Sequence, residues 1–150
     1  MSMYDQFETD PVLESEGIWI DYGDFRVQIG RAGGANKKYL AYAEAKTKPF
    51  RRAISAGTMP EERSRALLYD IYAKTVIFNW QVADGEDKAT GLTKWKNGIH
   101  KKGGGLLEVT PENIMLTFKN LPAIFMDLQQ AAEGIGLFRK EEMEADAKNS

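Results

Sequence analysis

Apolar and polar residues alternate along Phe25-Arg26-Val27-Gln28-Ile29, the spacing of a strand with one buried face. Gly17-Ile18-Trp19-Ile20-Asp21 is a second short run of strand-forming residues, and Tyr22-Gly23-Asp24 supplies a turn between the two. Together they predict a β-hairpin. A lone hairpin is marginal in water, so its apolar face must pack on helices. Helical spacing begins after Asn36, a good N-cap for a helix starting at Lys37, with Tyr39, Leu40, Ala43 and Ala45 opening the apolar face. Pro49 kinks or restarts that helix, and Gly57 stops it.

Thr58 and Glu61 have capping-box spacing, with Pro60 in the first turn. From Ala66 to Val82 nearly every residue is apolar, and Arg63, Asp70, Lys74 and Gln81 fall in one narrow polar stripe. This predicts a central core helix running to Val82, with Leu68, Ile71, Thr75 and Phe78 opposite the stripe. Tyr69, Tyr72, Phe78 and Trp80 read as core aromatics. Asn97-Gly98, between Lys94-Trp95-Lys96 and Ile99-His100-Lys101, predicts a second, small basic hairpin, left flexible by Gly103-Gly104-Gly105. Thr110 and Pro111 open another helix. Ile114, Phe118, Leu121, Phe125 and Leu128 keep helical spacing across a restart at Pro122, where Asn120 is the expected cap. Gly134 and Gly136 interrupt it.

The expected fold class is α+β, predominantly α-helical: an N-terminal β-hairpin packed on a helical core, with a small inserted second hairpin. Residues 1–16 read as a flexible acidic arm, 17–137 as a single mainly helical domain with the insertion at 92–105, and 138–150 as a polar flexible tail. A chain of 150 residues with 43% hydrophobic residues can bury a real core. With no cysteine there is no disulfide framework or thiolate metal site. No signal peptide is read at the N-terminus, and no apolar stretch approaches the roughly 20 residues that span a bilayer. A soluble protein of the cytoplasm, with no membrane partner, is the expectation.

Charge changes the picture. Residues 1–24 carry seven acids and no base, whereas residues 26–52 carry eight bases against Glu44 alone. Either two solvated surfaces attract each other across the fold, or Lys37, Lys38, Arg51 and Arg52 belong to a contact surface for an acidic partner. RNA is disfavoured by the net charge of −2. The Gly33-Gly34 turn could form an anion-binding nest, although a simple reversal from hairpin to helix is the plainer reading. The acidic 84–88 loop lacks the spacing of a calcium loop. His100, the one histidine, has no nucleophile nearby in sequence and reads as a surface residue. No catalytic, cofactor-binding or metal-binding residue is expected.

Arg31-Ala32-Gly33-Gly34-x-Asn36, Pro49-Phe50-Arg51-Arg52, Thr75-Val76, Trp80 before Asp84-Gly85, Glu112-Asn113 and Leu121-Pro122 together resemble the tail assembly chaperones of long-tailed phages and prophages. The resemblance covers roughly residues 18–149. The second hairpin and triple glycine look like additions to the usual pattern. It implies a small, helical, non-catalytic protein that binds the tape measure protein, helps bring tail tube protein to it, and is absent from the mature virion. A homo-oligomer is compatible with it. The docking candidates are Phe118, Ile124, Phe125 and Leu128, with the basic segment beside them; the competing reading of these apolar residues is plain core. The other function classes are a structural tail or connector subunit and, less favoured, a nucleic-acid-binding module. The family is also commonly made in two lengths by ribosomal slippage, and Ala147-Lys148-Asn149 stands where the slippery codons would be expected.

Overall fold

The computed structural model describes residues 2–140. The slippage segment, and the expected tail beyond residue 140, lie outside the described residues. The chain opens with two short helices, α1 (Met3–Phe7) and α2 (Pro11–Glu16), in place of the expected arm. Each has its own start signal. Ser2 and Asp5 form a reciprocal capping box, and the Asp10 carboxylate accepts from the Val12 N–H. Asp10 N–H donates to the Phe138 carbonyl and Lys140 N–H to the Glu8 carbonyl, tying the two ends of the described chain together. Phe138, placed at the start of the expected tail, is fully buried.

β1 (Ile18–Asp21) and β2 (Phe25–Ile29) form the expected antiparallel hairpin, with Ile20 opposite Val27. α3 (Lys37–Thr47) starts at Asn36, whose side chain accepts from the Tyr39 N–H. Pro49 forces a short 3-10 turn, Lys48–Phe50, before α4 (Arg51–Ala56). Gly57 ends α4 at φ +68°, a conformation that glycine adopts without steric cost.

The long core helix needs correction. α5 spans Glu61–Thr75, and the apolar run continues as strand β3 (Ile77–Glu86). Thr75-Val76-Ile77-Phe78 is β-branched and aromatic, stiff at χ1 and better suited to a pleated surface. From Trp80 to Val82 burial alternates, as one-sided packing requires. The Thr58 capping box also does not form: Pro60 precedes α5 without a side-chain cap, and the Thr58 hydroxyl bonds back to the Ala53 carbonyl at 3.5 Å.

The second hairpin does not form as expected: residues 94–96 and 99–101 do not pair with each other across Asn97-Gly98. β4 (Thr93–Asn97) pairs back onto β3, completing a four-stranded antiparallel sheet in the order β1-β2-β3-β4. Ladder contacts hold Asn97 in that sheet: its side-chain oxygen accepts from Asn79 and Gln81 at 3.0 and 2.9 Å. At Gly98 the chain leaves the sheet. β5 (Ile99–His100) then pairs with β6 (Leu106–Leu107), turning through 101–105. A side chain at Gly98 would sit 3.0 Å from Leu106 Cδ1.

α6 (Pro111–Asn120) begins at Thr110, whose hydroxyl accepts from the Asn113 N–H, and α7 (Pro122–Glu133) follows with Leu121 rather than Asn120 at its cap position. The inner sheet face (Val27, Ile29, Trp80) packs against Tyr72 and Val76 of the α5 end, Phe118 of α6, and Phe125 and Leu128 of α7. The architecture is α+β and predominantly helical.

Candidate functional site: a groove between two helices

The aromatic cluster decides which apolar residues are available to a partner. Phe125 lies 4.6 Å from Tyr69, 5.1 Å from Tyr72 and 5.0 Å from Phe118, centroid to centroid. Edge and tilted contacts of this kind stabilise beyond the area they bury. Phe118 and Leu128 are fully buried and Phe125 nearly so, while Ile124 is half-buried against the same core. Phe118, Phe125 and Leu128 therefore build the core and do not form a docking face, while Ile124 keeps part of its surface beside Leu121. Helical spacing marked the buried side of α6 and α7 and said nothing of what else would cover it.

An exposed apolar surface lies one helix face over, where α5 and α6 pack side by side. Glu62, Arg65, Ala66 and Tyr69 from α5 face Glu112, Met115, Leu116 and Lys119 from α6 across an open groove of about 580 Å³. Each set follows i, i+3, i+4, i+7, one face of a helix. Tyr69 and Met115 form the floor, continuous with the core; Leu116 is 44% exposed on the wall. The rims carry one acid and one base each: Glu62 and Arg65, Glu112 and Lys119. The groove thus has an apolar seam between mixed-charge rims.

The basic candidates take a different position. Lys37 and Lys38 occupy the first turn of α3, and Arg51 and Arg52 the first turn of α4; all four are exposed. Neither first turn contains an acid. Cations at a helix N-terminus oppose the macrodipole.

The Gly33-Gly34 turn does bind an anion, and the anion belongs to the protein. The Glu14 carboxylate enters the turn, pairs with Arg31 Nη1, and accepts from the Ala35 N–H at 3.3 Å. Asn36 closes the other side by donating to the Arg31 and Thr75 carbonyls. The motif joins α2, the hairpin exit and the end of α5.

On the open sheet face, Arg26 lies between Trp19 and Trp95, 4.1 and 4.6 Å from the ring centroids, and its Nε donates to Gln81. His100 is exposed, as expected, and meets Phe25 edge-on. Near α5, the Tyr42 hydroxyl donates to Asp70 at 2.7 Å and Lys74 pairs with Asp70 at 3.0 Å. Burial pushes the Asp70 carboxyl up, but these two partners outweigh it and hold it below the usual carboxylate value. Among the described residues no group of three or more His, Asp or Glu side chains is gathered to hold a metal ion, and no helix is long and apolar enough to cross a membrane.

A small helix-rich α+β domain with a helix-lined surface groove is the class that this geometry defines. Residues 34–149 match the family model described as YdaY prophage protein, and the chain belongs to that family. No curated protein and no solved structure matches the chain. It is a phage-related protein.

Proposed function

We propose that the protein is a tail assembly chaperone that holds the tape measure protein during tail morphogenesis and brings tail tube protein to it. Membership of a prophage family supports the phage setting. The motifs that resemble tail assembly chaperones supply the finer reading. The observation that carries it is the α5–α6 groove, whose apolar seam and paired charged rims suit a helical segment of a long client. The protein acts by binding, without catalysis, in the cytoplasm of the bacterial host, and is absent from the mature virion.

The test is co-expression with the tape measure protein encoded by the same prophage. The expected result is a soluble complex that survives purification. Ala66→Glu with Leu116→Glu, both at exposed positions, puts charge on the seam. This variant should keep its circular dichroism spectrum and lose the complex. A client that stays aggregated beside the wild-type protein overturns the chaperone reading. Finding the protein as a stoichiometric part of purified virions would favour a structural tail or connector subunit instead.

A further inference from the structure

The four-stranded sheet ends at β1, which leaves that strand with an unpaired edge. Hydrogen bonding alternates along an antiparallel ladder. The Tyr22 N–H donates to the Phe25 carbonyl at 2.9 Å, which sets the phase of the β1–β2 hairpin. Ile18 and Ile20 therefore turn their main-chain groups toward β2, and Trp19 and Asp21 turn theirs outward. Among the described residues no strand follows to receive them. The two free edges of the sheet differ. β4 carries Lys94 and Lys96, both exposed, and lysine on an edge discourages pairing with another chain. β1 has no lysine and no proline, and Asp21 at its end is its one charge.

The apolar side of β1 is also incompletely covered. Val27 and Ile29 of β2 are 0% exposed, whereas Ile20 and Ile18, their partners in register, are only half-buried. On the open face, Arg26 stacks on the Trp19 ring and holds it at the edge. Asp21 stands two residues along on the same face, its carboxylate accepting from the Gly23 N–H at 2.7 Å. The strand is complementary to itself. Antiparallel pairing about Ile20 sets Trp19 of each copy opposite Asp21 of the other, and both of these pairs exchange two main-chain hydrogen bonds. The indole N–H, a donor only, then stands beside a carboxylate. Pairing about Asp21 would instead oppose two carboxylates.

We propose that two copies of this chain associate edge to edge through β1, joining their four-stranded sheets into one continuous antiparallel sheet across a two-fold axis at Ile20. The contact is isologous, because each copy offers the same strand. The two Ile20 side chains meet across the axis and extend the cover over the half-buried side of β1. No client takes part, so the proposal stands whether or not the chaperone reading holds.

The chain has no cysteine, so a single introduced thiol can form a disulfide only between copies. On the axis, Ile20 faces its own copy as a non-hydrogen-bonded pair with Cα atoms roughly 4.5 Å apart, within the span of a disulfide. Full-length Ile20→Cys should therefore give a covalent dimer under mild oxidation, whereas Lys94→Cys on the β4 edge should stay monomeric. Sedimentation of the wild type should show mass rising with protein concentration. Asp21→Pro removes an outward N–H and leaves the bonds to β2 in place, so it should weaken association at least about tenfold. Asp21→Asn keeps that N–H and should associate within about threefold of wild type. A wild type that stays monomeric throughout overturns the proposal. So does equal dimer yield from Lys94→Cys, or undiminished association of a folded Asp21→Pro. If Asp21→Pro loses its circular dichroism spectrum, the cysteine variants decide, and absence of the Ile20→Cys dimer overturns the proposal.

Discussion

Glu14 and Arg31 form an ion pair in which the Glu14 side chain is only 3% exposed and that of Arg31 is 21% exposed. The loop that carries Arg31 closes over the carboxylate, so that a Cβ built on Gly34 would collide with Glu14 Oε2. Gly34 also has φ +52°, a left-handed conformation that other residues adopt only at a cost. The acidic N-terminal segment is thus fastened to the body of the protein through one of its own charges.

Replacing Glu14 by Ala should destabilise the protein by about 2–4 kcal/mol, because Arg31 then keeps a partly buried charge without its partner. Gly34→Ala should cost about 1–3 kcal/mol through the same carboxylate and the strained backbone. Urea midpoints measure both. If Glu14→Ala leaves the midpoint within error, the carboxylate does not hold α2 to the loop.

The Asp70 carboxyl titrates below its ordinary value of 3.8 in the folded protein. The stabilisation from its Tyr42 and Lys74 bonds is therefore complete above that value and fades as pH falls through the lower folded one. Asp70→Asn should be about 1 kcal/mol less stable than wild type at pH 7, a modest figure because Lys74 is 39% exposed. The difference should shrink as pH is lowered toward about 2–3. A gap that is equally wide at low pH would remove ionisation of Asp70 as its cause.

Phe125→Ala should cost about 3–5 kcal/mol by opening a cavity among Tyr69, Tyr72 and Phe118. Phe125→Asp with Leu128→Asp should fail to fold, as circular dichroism would show. A folded double mutant that had lost only client binding would return these residues to the docking face.

Deleting residues 92–105 should unfold or severely destabilise the protein. The deletion removes β4 from the sheet and also Ile99, which is 1% exposed in the core. Ile99→Ala alone should cost about 2–4 kcal/mol. Removing Lys102 and Gly103 from the exposed turn should change stability by less than about 1 kcal/mol, since turn length alters closure entropy only slowly. Thermal melts of the three variants separate structural strand from dispensable turn.

Local chemistry alone determined several elements of this protein. Alternation in Phe25–Ile29 specifies a half-buried strand, Asn36 and Thr110 supply caps, Pro49 interrupts a helix, and Gly57 ends one. Each acts through neighbours within a few residues, so each is legible in the chain. Three decisions required partners distant in sequence. The apolar run after Thr75 became β3 because β2 and β4 offered it hydrogen bonds on both edges. Asn97-Gly98, a good hairpin turn by composition, was overridden when Asn97 joined Asn79 and Gln81 across the sheet. Phe118, Phe125 and Leu128 became core rather than docking face because α5 and the sheet cover them. That same packing brought the Ala66 and Leu116 faces together into an open groove. Periodicity states that a helix has an apolar side, and only the neighbours it meets determine how much of that side remains uncovered.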